Sequence, residues 1–145
     1  LDSVVAFFRS ASFEEVEQTA RDHGFHDGMV SGPREHFQMR RFEQHQIENE
    51  LDGEELARLR AIMGGDPASA FVVSCRHGDA ARFASETLAA VMAAHEPSVI
   101  DDDFGYLWTA AELRAHLASS EYADLFSLRH PAPLRRAAGA RRPAQ

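Results

Sequence analysis

The chain has 145 residues, 44% of them apolar, and its ten Phe, one Trp and two Tyr are enough for one core and too few for two ordinary domains. A net charge of −8, a single cysteine and the lack of a long apolar run exclude a disulfide-stapled scaffold, a Cys-only zinc site and a membrane helix. All 15 basic residues are arginine and no acid follows residue 126, so residues 1–126 set ten arginines against 23 acids, a net of −13, while five arginines stand alone in 127–145.

This asymmetry divides the chain into a single acidic domain, 1–126, and a basic C-terminal tail, 127–145, rich in Pro, Ala and Arg. The tail carries too little apolar surface to fold alone and is expected to be mobile. The body should repel nucleic acid, and five tail charges are too few for tight binding to it at physiological salt. Near the start, "VVAFF" is short and soon followed by Arg9, which is not the pattern of a signal peptide. A lone thiol fits a reducing compartment, so a cytoplasmic location is expected. The first residue is Leu1 and not Met, so residues upstream are expected to be missing.

In chain order, "VVAFF" from Val4 reads as a strand. Ser12 with Glu15 forms a capping box, in which a hydroxyl accepts from an orphan backbone N–H and a carboxylate three residues on reaches back. Phe13, Val16 and Ala20 then share a face, and Gly24 ends the helix. At that end His23, His26 and Asp27 make an H-x-x-H-D cluster that His36 or His45 could complete as a metal site. No spacing requires it, and histidines are common at helix C-termini, where the dipole favours them. Neither metal nor cofactor is expected.

"GMVSGPREHF" has the turn signal Gly32-Pro33 between extended stretches and reads as a hairpin leading into the strand "HFQMRRF" from His36. "HQIENELDGEE" then gathers Glu48, Glu50, Asp52, Glu54 and Glu55. Its plain reading is a solvated loop with acids at a helix N-terminus; its functional reading is a docking surface for a basic partner. Asp52 and Glu55 cap a helix with Leu56, Leu59, Ile62 and Met63 on one face, closed by Gly64 and Gly65.

"AFVVSC" from Ala70 is a strand in which Cys75 keeps phase with Phe71 and Val73, so its thiol should be buried and inert. Arg76-His77-Gly78 follows it and resembles the opening of the histidine phosphatase family, where a histidine takes the phosphoryl group and arginines hold its oxygens. The resemblance covers three residues and lies mid-chain, with too little sequence after it for that family's second histidine and arginine pocket. Asp79 would also place a carboxylate on the N–H donors that should hold phosphate.

A longer helix runs from about Asp79 to His95 with Phe83, Leu88, Val91 and Met92 inward and Pro97 beyond its end. "SVID" and "YLW" flank the triplet Asp101-Asp102-Asp103 as two strands of a hairpin, and Thr109 with Glu112 caps the last helix. Asp101, Asp103 and Glu112 match positions one, three and twelve of a calcium loop. The match fails at position six, which is Tyr106 where glycine is needed, and Glu112 has a competing duty in the cap. The carboxylates should therefore be solvated. If the strand continued unbroken, Asp102 would instead share the buried face of Ile100 and Phe104, with a raised pKa.

Strands and helices alternate in the order β-α-β(β)-α-β-α-β(β)-α. The hairpins and the lack of long Val/Ile runs favour an α+β two-layer sandwich of ferredoxin-like type, its sheet antiparallel or mixed and its helices mainly on one face. Two functions fit. One is a small acidic protein-binding module that covers a basic protein surface, of the antitoxin or immunity-inhibitor kind, compatible with a homodimer and with neither nucleic acid nor membrane as partner. The other is a small enzyme or ligand-binding domain with a cleft lined by Arg76, His77 and Asp102.

Overall fold

Alternation along Val4–Phe8 forms the central strand of the computed structural model, which describes residues 2–24, 38–75, 79–102, 106–120 and 123–126. Strands β1 (Asp2–Phe8), β2 (Gln38–Arg41), β3 (Ser69–Cys75), β4 (Ser98–Asp101) and β5 (Leu107–Trp108) make one sheet in the order β2-β3-β1-β4-β5. Every neighbouring pair is antiparallel. The described helices are α1 (Phe13–Asp22), α2 (Gln44–Glu50), α3 (Gly53–Met63), α4 (Asp79–Ala94) and α5 (Ala110–Ala118). β1-α1-β2 and β3-α4-β4 are two split units, each admitting one strand of the other between its own pair. The fold is the α+β sandwich read from the sequence.

Period-two alternation sends Val4, Ala6 and Phe8 to one face of β1 and Val5 and Phe7 to the other. The first face is the larger core. Phe8, Phe71, Val73, Ile100 and Trp108 pack there under Val16 and Ala20 of α1, Leu88 and Met92 of α4, and Leu113 and Leu117 of α5. Burial of each of these large side chains is worth about 1.5–3 kcal/mol. On the second face α2 and α3 lay Ile47, Leu59 and Met63 over Phe7, Phe42, Ala70, Val99 and Leu107. This smaller cover lies over one end of the sheet, and its limit creates the cleft described below. Cys75 is buried in the first core, in phase with Phe71 and Val73.

The three capping boxes form as the sequence implies. Glu15 N donates to Ser12 Oγ at 3.1 Å and Ser12 N to Glu15 Oε1 at 2.9 Å, and the Ser12 backbone N–H, followed by the Ser12 side chain, holds the Glu15 carboxyl below its ordinary pKa. Asp52 and Glu55 exchange the same pair of bonds at 2.8 and 3.1 Å. At α5, Glu112 N donates to Thr109 Oγ1 at 3.3 Å and Thr109 N to Glu112 Oε1 at 2.9 Å. Thr109→Ala should therefore lower the unfolding free energy by about 1 kcal/mol, read as a shifted urea midpoint at constant slope. An unchanged midpoint would mean that α5 is held by packing alone. α3 ends where Gly64 takes a left-handed φ of 85°, which a side chain would strain.

One helix was not legible. Residues 44–50, read as loop, form α2, because the Gln46 side chain accepts from Glu43 N at 2.8 Å and Ile47 is buried in the second core. Its only apolar residue within 44–50 is Ile47, so no helical period could show. The hairpin expected at 28–37, the residues His26, Asp27 and His36, the pair Arg76 and His77, and the tail 127–145 lie outside the described residues.

Candidate functional site

Two acids of the triplet depart from their expected solvation, since Asp101 and Asp102 are both buried, at 6% and 1% exposure, while Asp103 and the expected turn at 103–105 lie outside the described residues. They belong to opposite faces of β4. Asp102 continues the phase of Ile100 into the first core, where its Oδ2 accepts from Trp108 Nε1 at 2.8 Å and its Oδ1 from Tyr106 N at 3.2 Å. Asp102 N donates in turn to Tyr106 O at 3.3 Å, which closes the β4–β5 pair. The Trp108 ring lies 5.3 Å from the imidazole of His116, whose Nε2 is 2.9 Å from Asp124 O. Asp124 Oδ1 accepts from Phe126 N at 2.7 Å.

These bonds tie the end of the sheet to the segment after α5, and they account for a carboxylate where the pattern alone predicted a solvated turn. The indole N–H is the reason: a buried acid is tolerated when donors converge on it. Glu112, the twelfth position of the calcium reading, is held by the Thr109 backbone.

Asp102 is buried in the first core and is not part of the cleft described next, while Arg76 and His77, the other expected lining residues, lie outside the described residues. A cleft of about 330 Å³ does lie between sheet and helices, but on the second face, where α2 overhangs the strands. Strand register builds its floor. Arg40 faces Val72, Val72 faces Val5 and Val5 faces Asp101, so one row crosses four strands from a guanidinium to a carboxylate with two valines between. Gln46, Glu50 and Leu51 overhang it from α2 and its end.

The neighbouring row, with Phe7 beside Ala70 and Val99, is sealed under α2 and α3. The next row on the other side is polar, with Ser3 Oγ 2.8 Å from Ser74 Oγ. The cleft thus marks the border between the covered and uncovered parts of this face.

The acidic cluster lies along α2 and the start of α3 beside this cleft. Glu48, Glu50, Asp52 and Glu54 are exposed and Glu55 is half-buried. Asp52 and Glu55 are engaged in capping, and Glu54 is paired with Arg58. Glu48 accepts from Gln44 Nε2 at 3.3 Å. Glu48 and Glu50 stand in the last turn of α2, a turn with no basic residue, where the helix dipole disfavours acids. Glu50 reaches the cleft as well. The two clusters anticipated separately, acids for a partner and polar groups for a cleft, therefore meet at Glu50.

Arg41, next to Arg40, points the other way. Its Nη2 donates to Glu17 at 2.7 Å and to Glu14 at 3.0 Å, its Nε to Glu17 at 2.9 Å, and its guanidinium lies 4.9 Å over the Phe13 ring. The Arg41 hydrogen bonds hold the Glu17 carboxyl below its usual range. One arginine of the pair thus joins β2 to α1 and the other lines the cleft.

Sequence reasoning missed Arg40 and Asp101. Alternation indicates which face each residue takes, but only register brings the two into one row. His23, at the end of α1, has Nδ1 2.9 Å from Thr19 O. Among the described residues no three His, Cys, Asp or Glu side chains gather as a metal site, and no helix is long and apolar enough to cross a membrane. Comparison with protein-family models, with curated proteins and with solved structures gives no match.

Proposed function

We propose that this chain is a protein-binding module that meets a basic partner through the acidic ridge of α2 and α3, as an antitoxin or immunity-type inhibitor covers a basic cleft. The observation that carries it is the placement of Glu48 and Glu50, exposed in the last turn of α2, a turn that contains no basic residue. Local structure gains nothing from acids there, since the helix dipole opposes them. A basic surface would gain, because complementary charge raises the encounter rate. The net of −13 over residues 1–126 acts in the same direction. The reading includes a ferredoxin-like topology, a cytoplasmic location, and neither nucleic acid nor membrane as partner.

The test begins with the basic protein that co-purifies with the chain from its native host. Replacing Glu48, Glu50 and Glu54 together by Gln should slow association several-fold at low salt and flatten its salt dependence. Stability should change by less than about 1 kcal/mol, the Glu54–Arg58 pair being on the surface. Stopped-flow mixing over a salt series reads both quantities. Association that is unchanged at low salt would overturn the proposal.

A second reading, a small ligand-binding or enzymatic domain, draws on the cleft, whose volume is at the lower end of the range for small-molecule sites.

A further inference from the structure

We infer that the part of the second sheet face left bare by α2 and α3 is the contact between two copies of this chain, in which Arg40 of each copy pairs with Glu50 of the other. The inference goes beyond the protein-binding reading and does not depend on it. Charge and shape at the cleft both carry it.

Arg40 and Glu50 line the same cleft and both are exposed, yet among the described residues neither side chain makes an ion pair or a hydrogen bond. Their neighbours differ in this respect, since Arg41 is held by Glu14 and Glu17, and Glu54 by Arg58. A guanidinium and a carboxylate left open on one surface make that surface self-complementary. A two-fold axis lying in the interface midway between them brings each onto the other's counterpart, so one pairing becomes two. The guanidinium fork suits such a contact, because it can meet a carboxylate through two parallel bonds. Asp101, buried and engaged within its own chain, takes no part.

The end of α2, closed by Leu51, is a ridge beside a groove floored by Val5 and Val72. The same axis lays the ridge of each copy in the groove of the other. Val5, Val72 and Leu51 are only half-buried in the single chain, so the contact takes more of their apolar surface out of water. The row beyond them is ready to be covered as well, since the Ser3 and Ser74 hydroxyls already bond to each other at 2.8 Å. A simple anion in the cleft would face Glu50 and a simple cation Arg40, whereas a second copy supplies both signs. One cleft and its rim make a small interface, so the dimer belongs to the weak, exchanging class. Each copy carries a net charge of −8, but at physiological ionic strength charges more than about 8 Å apart are largely screened, and the paired groups touch.

Sedimentation velocity on the full chain, at concentrations up to about 300 μM, should show the average mass rising from monomer toward dimer. Arg40→Glu and Glu50→Arg, both at exposed positions, should each weaken the dimer at least tenfold, because each sets like charges across both contacts. An equimolar mixture of the two variants should regain it, since one copy then offers two acids and the other two bases. Recovery on mixing also shows that both variants are folded. A chain that stays monomeric at every concentration, a dimer indifferent to both reversals, or a mixture that fails to reassociate would overturn the inference. So would a dimer that survives Arg40→Glu but is lost when Arg135 and Arg136 are replaced by Gln, which would make the basic tail the occupant of the face.

The measurement needs no partner protein, and Glu48 and Glu54 lie outside the Arg40–Glu50 pair. A monomeric chain therefore overturns the dimer and leaves the ridge reading standing. Partner association indifferent to Glu48→Gln and Glu54→Gln sinks the ridge and leaves the dimer standing.

Discussion

Phe8→Ala is expected to lower the unfolding free energy by about 3–5 kcal/mol, the usual cost of removing a buried aromatic ring. Phe8 is fully buried at the centre of the first core and meets Phe71 edge-on at 6.1 Å and the His95 ring at 6.4 Å. It lies on β1, hydrogen-bonded to a strand on either side, so its surroundings are poorly placed to collapse into the space left. Domains have about 5–15 kcal/mol in total, and the variant should therefore lose a large part of its stability or fail to fold at ordinary temperature. Urea unfolding followed by far-UV circular dichroism measures the loss. A cost below about 1 kcal/mol would mean that the first core is not the main source of stability.

Asp102→Ala is the second large effect, expected at about 2–3 kcal/mol. The substitution removes a carboxylate that accepts from the indole of Trp108 and from Tyr106 N, and it strands the indole N–H in the core. A hydrogen bond to a charged group contributes about 1.5–3 kcal/mol, and an abandoned buried donor retains its full desolvation cost. Trp108→Phe placed in the same chain should restore part of the loss, since it removes the stranded donor. A double-mutant cycle over these two sites should give a coupling well above about 0.5 kcal/mol. Additive effects would show that the bond is incidental and that the burial of Asp102 has another cause. Because Asp102 acts here through packing, its loss should affect stability before it affects partner association.

Helix boundaries were legible in the sequence wherever their chemistry is local. Ser12 with Glu15, Asp52 with Glu55 and Thr109 with Glu112 each complete their bonds within four residues, and all three start helices where the pattern placed them. Helix α2 is the exception. Its cap is local too, with Gln46 reaching back to Glu43 N, but Glu43 is not a favoured N-cap residue and the one apolar residue, Ile47, enters a core made by residues distant in sequence, so no familiar pattern announces the helix. The alternation of β3 could likewise be read, which is how Cys75 was assigned to the interior.

The amino-acid sequence by itself determined the α+β class, the inward phase of Cys75 with Phe71 and Val73, the capped helix starts and the excess of acid over base. These depend on residues within a few positions of one another, and side-chain period and capping geometry act over that range. Only the tertiary structure decided that Asp101 and Asp102 are buried on opposite faces, that a Trp108 indole accompanies one of them, and that Arg40 and Asp101 share a common row. Those facts depend on register between strands far apart in the chain, and a shift of one residue would turn each side chain to the other face. The cleft exists because α2 and α3 cover only part of the second face, and that extent of cover is set by packing between elements, which no local pattern records.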